Sequence, residues 1–98
     1  MKKKIYIIPG FGETTKEKPY KEIQKNAKDK GYEVIPIDLS WSHHTMSDWI
    51  KEAREKILEH GDSNSFILGF SFGAFVAVEL SKELSFKKVF VCSLSPYY

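Results

Sequence analysis

The sequence has 98 residues, which is the size of one small domain. Hydrophobic residues make up 42% and charged residues 29%, a balance that excludes a disordered chain. The formal net charge of +2 argues against a dedicated nucleic-acid-binding protein. The single cysteine excludes an internal disulfide and a zinc site built from cysteines.

The N-terminus has the lysines of a signal peptide but not its apolar core. The run Ile5–Ile8 behind Lys2–Lys4 stops at a Pro-Gly pair, short of the roughly 7–15 apolar residues of a signal sequence. No apolar run reaches the roughly 18 residues of a membrane span. We therefore expect a cytoplasmic protein with no membrane partner. Cys92, expected to be buried, agrees with a reducing compartment.

Strand and helix patterns alternate from the start of the chain. The β-branched and aromatic run Ile5–Ile8 predicts a buried first strand. A helix is predicted from about Pro19, because apolar residues then recur at helical spacing between lysines. Gly31 stands where a left-handed C-terminal cap is expected.

The middle of the chain predicts a second strand and a second helix. Glu33–Leu39 is strand-like, and Pro36 removes one of its ladder donors, which favours an edge position. A helix is predicted to open near Ser47, with Asp48 at its positive end, and to finish at Gly61. Its apolar stripe consists of Trp49, Ile50, Ala53, Ile57 and Leu58.

The last third repeats the alternation. Phe66–Phe70 predicts a third strand, and Phe72–Leu84 predicts a helix that is apolar on most sides and hence the most buried of the three. The centre of the fourth strand, Lys88–Leu94, is continuously apolar, which is typical of a parallel sheet covered on both faces. We predict an α/β fold with α/β/α layers in one domain, residues 1–98. Its four-stranded, mostly parallel sheet has the order 2-1-3-4.

Lysines are concentrated in the first third of the chain, and acidic residues follow. Solvated helix faces account for this pattern; a basic patch that recruits an anionic substrate or membrane surface is the alternative. The basic segment contains Lys16, Lys18, Lys21, Lys25, Lys28 and Lys30.

Glycine-containing turns follow strands 1 and 3, where ligands bind in such sheets. The first turn is Pro9–Gly12. The second, Gly69–Gly73, matches G-x-S-x-G in its strand–turn–helix context. Small residues two positions from Ser71 let the strand and helix pack closely, while the hydroxyl projects at the positive helix N-terminus. The N–H groups of Phe72 and Phe11 are placed to bind a tetrahedral oxyanion.

The order of elements and the serine turn resemble the α/β-hydrolase family, in particular small intracellular serine hydrolases whose first strand ends in Pro-Gly. The resemblance implies that Ser71 is the nucleophile and that the Phe72 and Phe11 amides form the oxyanion hole. It further implies hydrolysis of a small-molecule ester or similar acyl substrate through an acyl-Ser71 intermediate. No metal or organic cofactor is implied.

The sequence departs from that family after Ser71, where the family's acid and histidine would follow. No Asp or His occurs there; the acids are Glu79 and Glu83, on the predicted third helix. The chain therefore resembles the N-terminal half of such an enzyme, as a truncated chain, a split gene product or a relic, and we expect it to be inactive alone. His43 and His44 are expected about two strand spacings from Ser71, roughly 10 Å, too far for a general base.

Other interpretations remain open at this point. A metal at the histidine pair with Asp38 or Asp48 has poor ligand spacing. A dinucleotide site at Gly10–Gly12 lacks a third glycine, because Thr15 stands at that position. An apolar acyl pocket, as opposed to generic packing, would use Trp41, Phe70, Phe72, Tyr97 and Tyr98.

A non-catalytic interaction module is the main functional alternative. The fourth strand, Lys88–Leu94, would be an apolar edge in an isolated chain, and such edges pair with other chains. This predicts that two copies associate through that strand.

Overall fold

The computed structural model describes residues 3–42, 44–61 and 64–92. Strands and helices alternate along them: β1 (Lys4–Ile8), α1 (Lys18–Asp29), β2 (Glu33–Pro36), α2 (Met46–His60), β3 (Ser65–Phe70), α3 (Phe72–Ser81) and β4 (Lys88–Cys92). The strands form one sheet in the order β2-β1-β3-β4, and every adjacent pair is parallel. The predicted order is confirmed, with β1 and β3 central and the proline-bearing β2 at an edge.

Helices cover both faces of the sheet. Successive residues of β1 point to opposite faces, as the pleat requires. Tyr6 and Ile8 belong to the core under α2 and α3, whereas Ile5 and Ile7 belong to the core under α1. The predicted α/β/α layering is therefore confirmed. The two strands that lead into the glycine turns, β1 and β3, lie side by side at the centre of the sheet.

The helix ends follow local capping chemistry. Gly31 has φ +94°, and the N–H of Tyr32 donates to the carbonyl of Ala27, so α1 ends as predicted in a left-handed cap. α2 begins at Met46, before the predicted Ser47, because Thr45 is the residue at the cap. The Asp48 carboxylate accepts hydrogen bonds from the Thr45 N–H at 2.9 Å and hydroxyl at 3.1 Å.

Several predictions of extent and burial were wrong. β2 ends at Pro36, short of Leu39, and α3 ends at Ser81, short of Leu84. Leu58 is 53% exposed and lies outside the buried stripe of α2. α3 is, as predicted, the most buried of the three helices, with four of its 10 residues buried against three of 15 in α2 and one of 12 in α1, but one side of it has no neighbouring helix among the described residues. Its exposed apolar residues are Phe75 and Val78.

β4 lies at the second edge of the sheet and is exposed rather than covered on both faces. Val89, Phe90 and Val91 are 37%, 44% and 53% exposed. Cys92 is half-buried, not buried. The predicted end of this strand beyond Cys92 lies outside the described residues, as do His43, Tyr97 and Tyr98. Among the residues described, no helix combines the length and apolar character needed to cross a bilayer.

Candidate functional site

Ser71 occupies a strained turn between β3 and α3. Its backbone angles are φ 52° and ψ −116°, and residues other than glycine rarely adopt this positive-φ conformation. Its N–H donates to the Cys92 carbonyl at 2.7 Å, which joins the turn to the end of β4. The Ser71 side chain makes no capping hydrogen bond to α3. The hydroxyl is therefore not engaged as an ordinary helix cap.

The glycines on either side of Ser71 allow the close packing that the motif predicts. A Cβ atom placed on Gly69 would lie 2.7 Å from the carbonyl carbon of Gly73. A Cβ atom on Gly73 would lie 2.6 Å from the carbonyl oxygen of Ile8. Real Cβ atoms do not approach backbone this closely, so both positions require glycine for steric reasons.

The turn after β1 lies directly against Ser71. A Cβ atom on Gly10 would be 3.5 Å from the Cβ atom of Ser71. The Glu13 N–H donates to the Gly10 carbonyl at 3.0 Å, and Gly12 has φ +75°, so residues 10–13 form a tight turn with a glycine where positive φ is required. The crevice predicted between the two glycine turns is thus present.

Two backbone amides at this crevice are unpartnered within the described part of the chain. Phe72 is the first residue of α3, where amides have no intrahelical acceptor, and no described residue accepts from its N–H. The same holds for the N–H of Phe11. The positive end of the α3 dipole adds to the positive potential near Ser71.

Side chains that the sequence pattern did not single out fix the first turn. The carboxylate of Glu13 and the hydroxyl of Tyr20 both bind the N–H of Gly10, at 3.2 and 2.9 Å. The indole N–H of Trp41 donates to the Glu13 carbonyl at 3.0 Å. An acid three residues after Gly10 is the one signal in the sequence that points to this arrangement, since it has capping-box spacing.

An apolar groove of about 530 Å³ opens beside Ser71. Among the described residues its lining has no charged side chain and consists of Phe11, Ser71, Phe72, Ala74, Phe75, Val78 and Val91. The Phe11 and Phe72 rings lie 5.8 Å apart, edge to face. The structure therefore brings all three predicted site residues to one groove.

Two other residues predicted for an acyl pocket, Trp41 and Phe70, do not line this groove. Trp41 supports it from behind, with its ring 5.3 Å from that of Phe11. Phe70 lies on the opposite face of the sheet, where it packs on Tyr20 at 5.4 Å. The alternation of side chains along β3 accounts for this placement.

The described histidines lie away from the Ser71 groove. His44 lines a separate surface pocket with Asp48, whose carboxylate is 3.7 Å from its ring. His60 is the last residue of α2, and its carbonyl accepts from Lys4 at the start of β1. It therefore sits at the opposite end of the sheet from Ser71.

The alternative metal and nucleotide sites find little support among the described residues. No three His, Cys, Asp or Glu side chains converge there. The Asp38 carboxylate is occupied by Thr15, binding its N–H at 2.7 Å and its hydroxyl at 2.6 Å. α1 starts at Lys18, ten residues after the end of β1 at Ile8, rather than directly at the glycine turn.

Comparison with known proteins identifies the family. A model of the uncharacterised protein family UPF0227 matches residues 4–97. The chain belongs to UPF0227. No curated protein sequence matches it.

Solved structures share the fold of this UPF0227 chain. The ydeN gene product from B. subtilis superposes with a TM-score of 0.74 at 14% identity, over 91% of this chain and 50% of its own. Alpha/beta hydrolase domain-containing protein 10 from mouse superposes with a TM-score of 0.71 at 17% identity, over 80% of this chain and 34% of its own. The predicted α/β-hydrolase-like fold is confirmed, and the chain spans half or less of these two structures.

Proposed function

We propose that this chain carries the nucleophile and oxyanion-binding part of a serine hydrolase that cleaves small esters or related acyl compounds. The observation that carries the proposal is the placement of Ser71: it lies in a strained turn beside an apolar groove and two amides that have no acceptor among the described residues. Strained backbone at the junction of a strand and a helix is typical of functional positions. The hydrolase-like fold supports the same reaction class.

The proposed reaction uses Ser71 in two steps. Its oxygen attacks the substrate carbonyl carbon as a general base takes the hydroxyl proton, and the carbonyl oxygen becomes an oxyanion. The amides of Phe72 and Phe11 donate to that oxyanion. Collapse breaks the ester bond, and the leaving alcohol takes the proton from the base. Water then attacks the acyl-Ser71 carbonyl as the base takes one of its protons. The acyl–oxygen bond to Ser71 breaks, the carboxylic acid leaves and the serine oxygen takes the proton from the base, so the chemistry calls for no metal or organic cofactor.

The described lining of the groove does not supply the general base that this reaction needs. Apart from Ser71, every lining side chain is a hydrocarbon. A base has to approach within roughly 2.6–3.2 Å of the hydroxyl. We therefore expect this chain alone to react at Ser71 with an activated reagent but to turn over slowly or not at all.

The groove favours substrates with an apolar acyl group. Burial of such a group against aromatic and aliphatic side chains is favourable because it removes apolar surface from water, and no described lining residue is charged and able to bind an anionic group. We propose that the protein acts in the cytoplasm, because the apolar run Ile5–Ile8 is shorter than that of a signal peptide.

Labelling with a fluorophosphonate tests the proposal. The reagent is a strong phosphorus electrophile that can react with an accessible serine hydroxyl, and its reaction is favoured by the same oxyanion stabilisation as that of an ester. We expect one adduct on the folded protein, mapped to Ser71 by mass spectrometry and lost in Ser71→Ala. Ser81→Ala, at the other end of α3, is the matched control and should label normally. A folded wild-type protein that takes up no label would overturn the proposal.

A second candidate function is that of an interaction module, for which the exposed β4 is the specific observation. An apolar edge strand presents unpaired backbone groups to a partner strand. Two copies paired through β4 would cover Val89, Phe90 and Val91. Light scattering after size exclusion should then give a dimer that Val91→Lys dissociates. A wild-type protein that stays monomeric at high concentration rejects this function.

A further inference from the structure

The turn after β1 has both hydrogen-bonding groups of Gly10 engaged. The Gly10 carbonyl accepts from the Glu13 N–H at 3.0 Å. The Gly10 N–H donates to the Tyr20 hydroxyl oxygen at 2.9 Å and to the Glu13 carboxylate at 3.2 Å. The Tyr20 hydroxyl in turn donates to the same Glu13 carboxylate oxygen. Glu13 therefore closes the turn with its backbone and its side chain at once.

The hydrogen bond between the Gly10 carbonyl and the Glu13 N–H also fixes the direction of the Phe11 amide. The carbonyl of Gly10 and the N–H of Phe11 belong to one trans peptide unit, so they point in opposite directions. Because the carbonyl points into the turn toward Glu13, the Phe11 N–H points out of it. Gly10, which contributes the carbonyl of this peptide unit, is also the residue at which the turn approaches Ser71.

The pair that holds the turn is itself firmly anchored. Tyr20 is completely buried, and its ring packs on Phe70, the residue that precedes Ser71. Trp41 binds the Glu13 carbonyl, and its ring packs on that of Phe11. Tyr20 thus touches both the turn after β1 and the strand that leads into the serine turn.

We infer that Tyr20 and Glu13 are positioning residues that orient the Gly10–Phe11 peptide so that the Phe11 N–H faces Ser71 as an oxyanion donor. This inference rests on the proposed function, which gives the amide its role. Neither residue touches the substrate. They hold the N–H dipole of the Gly10–Phe11 peptide in its reactive orientation before the substrate binds. The peptide then does not have to reorient during the reaction.

The first test compares labelling rates of folded variants. Tyr20→Phe keeps the ring and removes the hydroxyl, and Glu13→Ala removes the carboxylate. Each should slow the second-order phosphonylation of Ser71 on the order of tenfold to a hundredfold. Glu13→Gln retains an oxygen acceptor for Tyr20 and Gly10 and should restore most of the rate. Tyr32→Phe, a half-buried tyrosine that packs on Phe66, is the control and should label as wild type.

The second measurement separates positioning from simple support of the fold. Each rate is taken per folded molecule, with the melting temperature measured in parallel. A purely structural role would lower the melting temperature and leave the rate of the folded fraction unchanged. That result in both Tyr20→Phe and Glu13→Ala overturns the inference.

Amide hydrogen exchange distinguishes failure of the inference from failure of the proposed function. In the wild type we expect a protected Gly10 amide and a faster-exchanging Phe11 amide, and loss of Gly10 protection in Tyr20→Phe and Glu13→Ala. If the wild type takes no label but these exchange changes occur, the pair controls the turn and the hydrolase proposal is what fails. If Gly10 stays protected in both variants, the inference is wrong whatever the labelling shows.

Discussion

A Cβ atom placed on Gly73 would lie 2.5 Å from the carbonyl oxygen of Pro9. The first turn of α3 therefore rests directly on the chain that leaves β1, with no side chain between them. This contact brings the serine turn and the Pro9–Gly12 turn together, because each belongs to one of the two packed segments. A side chain at position 73 would separate them.

Gly73→Ala should therefore affect both stability and the site. The added methyl group meets backbone that cannot move aside, so we expect the free energy of unfolding to fall by about 1–3 kcal/mol in urea denaturation. The same displacement should slow fluorophosphonate labelling of Ser71, because the N–H groups of Phe11 and Phe72 could no longer donate to the same oxyanion.

Gly31→Ala is the matched control for this change. Gly31 has φ +94° but no atom within 4 Å of an added Cβ, so the substitution costs backbone strain of about 1–2 kcal/mol without crowding. It should lower stability by a comparable amount and leave the labelling rate of the folded protein unchanged. Equal labelling by both variants would show that the contact at Gly73 does not set the site geometry.

The strained backbone of Ser71 makes a stability prediction of its own. Glycine adopts φ 52° without steric cost, whereas alanine does not. Ser71→Gly should therefore be more stable than Ser71→Ala by about 1 kcal/mol, with both variants unable to take label. Asn64→Gly, at φ 54°, should gain less than this, because asparagine tolerates the left-handed region. Equal stability of the two Ser71 variants contradicts a strained serine.

The fold and the centre of the site were readable from the sequence because each rests on a local signal. Pro36 marked the edge strand, and the glycines around Ser71 marked a turn that only small residues permit. The third helix is the most buried of the three, as predicted, but which of its residues face a neighbour was not readable. An apolar run does not say on which sides neighbours are present, and Phe75 and Val78 are exposed.

The anchoring of the first turn shows a second limit. Tyr20 belongs to the helical apolar pattern that begins at about Pro19, yet its hydroxyl binds Gly10 and Glu13. That arrangement depends on how α1 packs under the loop, which no spacing along the chain encodes. The cap of α2 at Thr45, by contrast, depends on a signal within the local sequence, because Asp48 follows three residues later.

The groove beside Ser71 should set a preference for longer acyl chains. Phe75 is 64% exposed, so Phe75→Ser removes apolar groove surface at little cost in stability. With alkyl fluorophosphonates, the rate advantage of an octyl over a methyl reagent should fall on the order of threefold to tenfold. Leu58→Ser, 53% exposed on α2 outside the groove, is the control and should keep that advantage. An unchanged octyl preference in Phe75→Ser would show that the chain binds elsewhere.

The hydrogen bonds of the Asp48 carboxylate at the start of α2 should stabilise the folded protein at neutral pH and lose this effect in acid. The Thr45 N–H, and next its hydroxyl, hold the pKa of Asp48 below the ordinary 3.8. A carboxyl whose pKa is lower in the folded state stabilises it above the unfolded pKa, and this contribution disappears as pH falls through the folded value. The stability difference between wild type and Asp48→Asn, from urea denaturation, should be constant near neutral pH and shrink below 3.8. Thr45→Ala keeps the backbone donor and should retain most of this pH dependence, whereas a difference that does not change with pH contradicts the assignment.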